Sequence, residues 1–234
     1  MKKPSVLFIW LTVFIDLIGF GIVVPLVPLF SKKLVEPMFG QNSTLTGLMI
    51  GEIISSFSAM QSLFAPVWGR LSDRIGRRPV LLGSTLGAAA SYVIFAISCS
   101  LDNPQLGLWL LIAARIFAGI CGANITVAQA YITDATDEKN RAKGLGMIGA
   151  AFGLGFILGP AAGGLLSTYG FAVPSFAAAG LALINLISVF FFLPESLTAE
   201  KRAALTTRPR AAFSLSSLSA ALRRPRVGPL LHVR

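Results

Sequence analysis

Six apolar stretches, each near the length that spans a lipid bilayer, constrain this chain more than any other feature. A helix needs about 20 mostly apolar residues to cross the hydrocarbon core. The runs at about 5–30, 45–68, 80–99, 106–132, 144–167 and 174–193 meet that requirement. Hydrocarbon gives backbone polar groups no partners, so such runs must satisfy them internally, as helices do. Charged residues make up 13% of the 234 residues, roughly half of the ~25% usual in soluble domains. The expected class is an all-α membrane protein with six transmembrane helices. The first run exceeds a signal-peptide core and no small-residue cleavage site follows it, so it reads as an anchor.

The formal net charge is +10, and its placement decides what it means. With the N-terminus in the cytoplasm, the inner segments collect Lys2, Lys3, Arg70, Arg74, Arg77, Arg78, Lys139, Arg141, Lys143 and every Lys and Arg after position 195. The outer loops hold only Lys32 and Lys33, and Arg115 falls within a span. That asymmetry predicts cytoplasmic termini at both ends. The basic balance therefore reports topology, and no nucleic-acid partner is expected.

The composition changes at Leu193-Pro194-Glu195. We divide the chain into a transmembrane bundle, 1–194, and a basic cytoplasmic linker, 195–234. Within the linker, Leu215, Leu218 and Leu222 precede Arg223 and Arg224, a spacing that suits a short amphipathic segment on the membrane surface. Cys99 and Cys121 fall inside spans and read as packing residues. Without a neighbouring histidine they make no metal site, and His232, alone in the tail, has no assigned role.

Three ionisable residues lie inside spans: Asp16, Glu52 and Arg115. Each costs about 2.5–3.5 kcal/mol at mid-membrane on insertion scales, so none should face lipid. Asp16 and Arg115 suit either a proton or substrate site in an aqueous cavity, or an internal ion pair joining helices. Glu52 lies nearer the outer surface, within reach of water. Two small-polar stripes at helical spacing accompany them and are expected to face the bundle interior. One carries Glu52, Ser55, Ser56, Ala59, Ser62 and Pro66; the other carries Arg115, Gly119, Gly122, Thr126 and Gln129. No serine–histidine or carboxylate pair suited to catalysis stands out, so an enzyme is not expected.

Four motifs, in order, carry a family resemblance. Gly69-Arg70-Leu71-Ser72-Asp73-Arg74-Ile75-Gly76-Arg77-Arg78-Pro79 resembles the loop between helices two and three of major facilitator superfamily transporters. Asp16-Leu17-Ile18-Gly19-Phe20-Gly21, with Pro25 and Pro28, resembles the first-helix motif of their drug:proton antiporter branch. Residues 111–123, with Arg115 and Gly119, are similar to the fourth-helix motif of that branch. Gly155 to Gly164, with Gly159, Pro160 and Gly163, resembles its fifth-helix antiporter motif. The nearest subgroup resemblance is to tetracycline:proton antiporters.

The resemblance implies a six-helix half, built as a 3+3 inverted repeat, of a twelve-helix fold with its substrate path between halves. It implies proton-coupled efflux of drug-like molecules across a bacterial inner membrane, driven by the proton gradient without a cofactor. Asp16, Arg115, Glu52 and Gln129 would line the proton and substrate path. Gly69, Asp73, Arg74, Gly76, Arg77 and Arg78 would form a gating latch. In that loop, Asp73 lies where a carboxylate would favour the start of the third helix. Gly155, Gly159, Pro160, Gly163 and Gly164 would bend the fifth helix at the interface with the other half. Ser91 stands before Tyr92 where tetracycline exporters carry an acid, and Glu52 is the replacement acid on offer. After Arg226-Val227-Gly228-Pro229 the sequence resembles the start of a seventh helix and then stops, the pattern of a truncated first half. A second six-helix half or a homodimer partner is then required, or the chain is an inactive or partner-binding membrane fragment.

Overall fold

The computed structural model describes residues 5–41, 43–198 and 202. The amphipathic segment and most of the linker lie outside the described residues. Among the described residues eight helices follow in order: α1 Val6–Val23, α2 Leu26–Phe39, α3 Thr44–Ile75, α4 Arg77–Ser100, α5 Pro104–Cys121, α6 Asn124–Ala135, α7 Glu138–Ser167 and α8 Ala172–Phe192. They make six spans, because α1–α2 and α5–α6 are each one membrane-length run interrupted midway.

The helix starts follow local chemistry. Ser43 Oγ accepts from Thr46 N at 3.1 Å, Asn103 Oδ1 accepts from Gln105 N at 3.0 Å, and Asp137 Oδ1 accepts from Asn140 N at 3.3 Å. Each satisfies a backbone N–H that the first helical turn leaves without an intrahelical partner. Pro104 adds a residue preset for the first helical position.

Two spans depart from the sequence reading. The first run does not end near residue 30 but resumes as α2 and reaches Phe39. Pro25, which lacks an N–H, sits at the break and lets the chain change direction without ending the span. Lys32 and Lys33 are therefore helical rather than in a loop, and Lys32 pairs with Glu36 one turn on at 3.4 Å. The fourth run breaks between Cys121 and Asn124.

The packing repeats. α1 packs most extensively on α7, and α3 packs correspondingly on α5; α4 contacts α5, as α8 contacts α1; α4 packs against α8. Exchanging spans one, two and three for four, five and six maps this pattern onto itself. Three is an odd number, so the two groups cross the membrane in opposite senses. The midway breaks fall in spans one and four, which are equivalent under that exchange. This is the 3+3 inverted repeat in physical form.

Glycine makes the close contacts. A Cβ on Gly155 would lie 2.7 Å from Leu17 Cβ, and one on Gly159 would lie 2.6 Å from Gly21 Cα. One on Gly163 would lie 2.6 Å from Ile22 O. The three residues, four apart, form one groove on α7 into which α1 settles, the small-residue packing that membranes favour. The sequence reading placed this motif at an interface with another half. The structure places these three glycines inside this half, while a Cβ on Gly164 would meet nothing within 4 Å. The equivalent contact in the other repeat is Gly119 of α5 against the Phe57 carbonyl and Met60 of α3.

Two buried apolar clusters fill the bundle. One gathers Ile22, Phe30, Phe95 and Leu111, the other Val13, Leu81, Tyr131 and Val189. α3 contributes little to either: only Thr46, Ile53 and Ser72 of its 32 residues are buried. The Glu52 stripe consequently does not face the bundle interior, and Glu52, Ser55, Ala59, Ser62 and Pro66 are exposed. A stripe of small polar residues fixes which face of a helix is special, but not which neighbour it meets.

Candidate functional site

A cavity of about 250 Å³ opens in the bundle, lined by Asp16 and Phe20 of α1, Phe57 and Gln61 of α3, Ser91 and Tyr92 of α4, Arg115 of α5 and Asn124 of α6, among others. Two of the three ionisable residues that the sequence places inside spans therefore meet in one space. Arg115 is 4% exposed and Tyr92 6%. Tyr92 lines the same cavity as Asp16 and Arg115. The internal ion pair left open by the sequence is not formed, since no described carboxylate bridges to Arg115. Asn124 lines the same space as Asp16. Arg115 instead lies over aromatic rings, its guanidinium carbon 5.4 Å from the centroid of Phe95 and 6.0 Å from that of Phe57. Its Nε and Nη2 have no hydrogen-bond partner among the described residues, and neither does Asn124 Oδ1. A second cavity of about 270 Å³ shares Phe20, Phe57 and Arg115 as walls.

The broken fourth span shapes one side of the main cavity. Interrupting a helix in hydrocarbon frees backbone groups that must find partners. Here Trp68 Nε1 donates to the Ile120 carbonyl, Ser84 Oγ donates to the Cys121 carbonyl, and Gln61 Nε2 donates to the Gly122 carbonyl at 3.1 Å. Ser84 Oγ also accepts from Ala123 N at 3.2 Å. Three side chains from two neighbouring helices thus hold the break open beside Asp16 and Arg115.

Glu52 and Gln129 are not brought to this site: both are exposed and neither lines the cavity. Glu52 leaves α3 on its open face, so it supplies no replacement acid beside Ser91, which is fully buried and bonds the Ala88 carbonyl. Gln129 follows the break, on α6, and is exposed. Tyr92, Asn124 and Gln61 were missed by the sequence reading. Only their type, polar in an apolar run, marked Tyr92 and Asn124 in the sequence.

At the far end of α4 the loop motif forms an ion network. Arg77, 5% exposed, donates through Nε to Asp134 Oδ2 at 3.0 Å and through Nη1 to Asp73 Oδ1 at 2.7 Å and Ser72 Oγ at 2.6 Å. Asp73 closes α3 and does not start α4, which corrects its expected role. The carboxylate at the start of α4 is Glu195: it accepts from Arg77 N at 2.9 Å, Arg78 N at 3.1 Å, Ser196 N at 3.1 Å and Leu197 N at 3.0 Å. A helix N-terminus carries unsatisfied N–H groups and a partial positive charge, which a carboxylate matches. Gly76 joins the two helices at φ +111°, and a side chain there would collide with the Glu195 carboxylate. Residues 195–197, assigned by composition to the linker, are thus docked on the bundle, with Ser196 and Leu197 buried. Arg78 bonds the Phe190 carbonyl, the Gly69 carbonyl accepts from Ser72 Oγ at 2.8 Å, and Arg74 is exposed.

Known proteins place this architecture. The family model for the Major Facilitator Superfamily matches residues 9–233, and the chain belongs to that family of transporters. It is 42% identical over 203 residues to the class C tetracycline resistance protein of Escherichia coli, covering 86% of this chain and 48% of that protein. Identity is 38% over 193 residues to the class H tetracycline resistance protein of Pasteurella multocida, covering 82% and 45%. It is 30% over 210 residues to multidrug resistance protein 2 of Bacillus subtilis, covering 89% and 48%. The crystal structure of the human organic anion transporter MFSD10 superposes with a TM-score of 0.70 at 29% identity, covering 96% of this chain and 58% of that one. The chain spans about half the length of the curated relatives it matches.

Proposed function

We propose that this chain forms the first six-helix half of a proton-coupled exporter of drug-like small molecules, with tetracyclines as the first compounds to test. The carrying observation is the shared cavity: a carboxyl able to hold a proton and a buried arginine open into one space. The names of the tetracycline resistance relatives support the substrate class. Asp16 takes up a proton when the cavity faces outward and releases it when the cavity faces inward. Substrate moves in the opposite sense, as this half rocks against a second six-helix half. Protonation biases the balance between two states that differ by a few kcal/mol. The proton gradient supplies the energy, and no cofactor takes part. The membrane is the bacterial inner membrane, with both termini cytoplasmic, as the distribution of Lys and Arg favours. Arg77, tied to Asp73 and Asp134, acts as part of the cytoplasmic latch.

The test is drug-driven proton movement in proteoliposomes with an acidic lumen. The chain is reconstituted alone and together with the second half of a tetracycline resistance relative. Drug addition is expected to alkalinise the lumen in the combined preparation, and Asp16→Asn is expected to abolish the response. Alkalinisation retained by Asp16→Asn refutes the assignment of the proton to Asp16.

A further inference from the structure

We propose that the groove between α4 and α8 binds an anionic phospholipid, its phosphate at Arg78 and one acyl chain along the groove. The site lies apart from the Asp16 cavity and shares none of its lining residues. The groove has a volume of about 360 Å³ and is walled by Leu82, Gly83 and Leu86 of α4 and by Ile187, Phe190 and Phe191 of α8, among others. Its walls carry no polar side chain. Leu86, Ile187, Phe190 and Phe191 are exposed on membrane-spanning helices, so hydrocarbon is the medium they meet. Gly83 leaves the groove its depth: a Cβ there would meet nothing within 4 Å. A flexible apolar chain fits such a space, and the bilayer supplies one at every point of this face.

Charge at one end of the groove selects the headgroup. Arg78, Leu82 and Leu86 are spaced by four and share one face of α4, which puts Arg78 one turn beyond the apolar walls. There α4 starts and α8 ends. The Arg78 guanidinium carbon lies 5.8 Å from the centroid of Phe190, itself a wall of the groove, and the side chain bonds the Phe190 carbonyl. Arg77 is neutralised by Asp73 and Asp134, but no described carboxylate forms a salt bridge with Arg78. Glu195 takes the backbone N–H of Arg78 instead. Arg78 is partly exposed, and its planar guanidinium matches the oxygens of a phosphate. Basic pockets between membrane helices hold anionic headgroups in this way. Arg70 and Arg74, exposed at the same end of the bundle, add to the positive field. A zwitterionic lipid offers the same chain but brings a cation beside its phosphate.

The experiment is native mass spectrometry of the full chain, delipidated in detergent and titrated with dioleoylphosphatidylglycerol or dioleoylphosphatidylcholine. The two share acyl chains and differ in headgroup charge. The first phosphatidylglycerol is expected to bind about fivefold more tightly than the first phosphatidylcholine, the factor that one basic residue contributes near an anionic surface. Arg78→Gln is expected to remove that preference, Arg78→Lys to keep part of it, and Arg74→Gln to leave it. Gly83→Leu, which fills the groove from a position with open space around it, is expected to weaken both lipids by a similar factor. Glycerol 3-phosphate, a headgroup phosphate without chains, is expected not to compete. Equal affinities, a preference that survives Arg78→Gln, binding indifferent to Gly83→Leu, or full competition by glycerol 3-phosphate each overturns the proposal. So does a dimer that Gly83→Leu disrupts, which would give the groove to a second copy of the chain. Gly83→Leu decides the matter even if the Arg78 variants fail to fold.

Discussion

Gly159 lies so close to α1 that one added carbon decides whether the two helices can touch. Its neighbour there is backbone, Gly21 Cα, which cannot swing aside as a side chain can. Gly159→Ala is therefore expected to destabilise the bundle by about 1–3 kcal/mol, the usual cost of overpacking. Gly153, which has open space around it, serves as control: Gly153→Ala should stay within about 0.5 kcal/mol. Unfolding of both variants in mixed detergent micelles checks the difference. Glu195 carries a comparable weight at the start of α4, where it accepts four backbone N–H groups. Glu195→Gln is expected to cost about 0.5–2 kcal/mol by the same assay, because the helix terminus loses its charge partner. Asp73→Asn should cost less, since Asp73 is half exposed and its pair is partly screened. Asp16 and Arg115 were legible in the sequence because charge in an apolar run has few uses. The role of Glu195 was not legible: a helix-capping contact between residues far apart in the chain leaves no local pattern.

At the scale of elements, the broken spans matter most. Hydrophobic length alone counts one helix wherever apolarity is continuous, so the breaks in spans one and four were hidden by it. Pro25 and Gly122 were visible as residues, yet proline and glycine are tolerated in many unbroken membrane helices. What makes the fourth break stable is the set of side chains that satisfy it. Ser84 is buried and serves both Cys121 and Ala123. Ser84→Ala should cost about 1–3 kcal/mol, the penalty for leaving a buried backbone group unpaired. Ser188, which is partly exposed and bonds the carbonyl one turn back in its own helix, should tolerate alanine within about 0.5 kcal/mol. If both serines respond alike, the side-chain clamp on the break is not what holds it.

At the scale of the molecule, topology can be tested without any substrate. Gln105 and Tyr169 lie at one end of the bundle and Lys139 at the other, and all three are exposed. In intact cells with a permeable outer membrane, Gln105→Cys and Tyr169→Cys should react with a membrane-impermeant maleimide. Lys139→Cys should react only after the inner membrane is opened. The reverse pattern would invert the topology drawn from Lys and Arg placement. Exposed apolar side chains such as Leu165, Ile157 and Trp109 cover much of the surface, as expected where hydrocarbon or another helix bundle is the surrounding medium.

The amino-acid sequence alone determined the number of spans, their helical character and the membrane as solvent. Each of these depends on apolar length and on the absence of backbone partners in lipid, and both are local properties. It also singled out Asp16 and Arg115, because a charge in hydrocarbon is costly wherever it sits. Tertiary structure alone decided that the two share a cavity without pairing, that Glu52 and Gln129 stay outside it, and that Glu195 belongs to the bundle. These outcomes turn on which helix faces meet. That choice is made by close approach of small residues across helices and by polar groups finding partners far away in sequence.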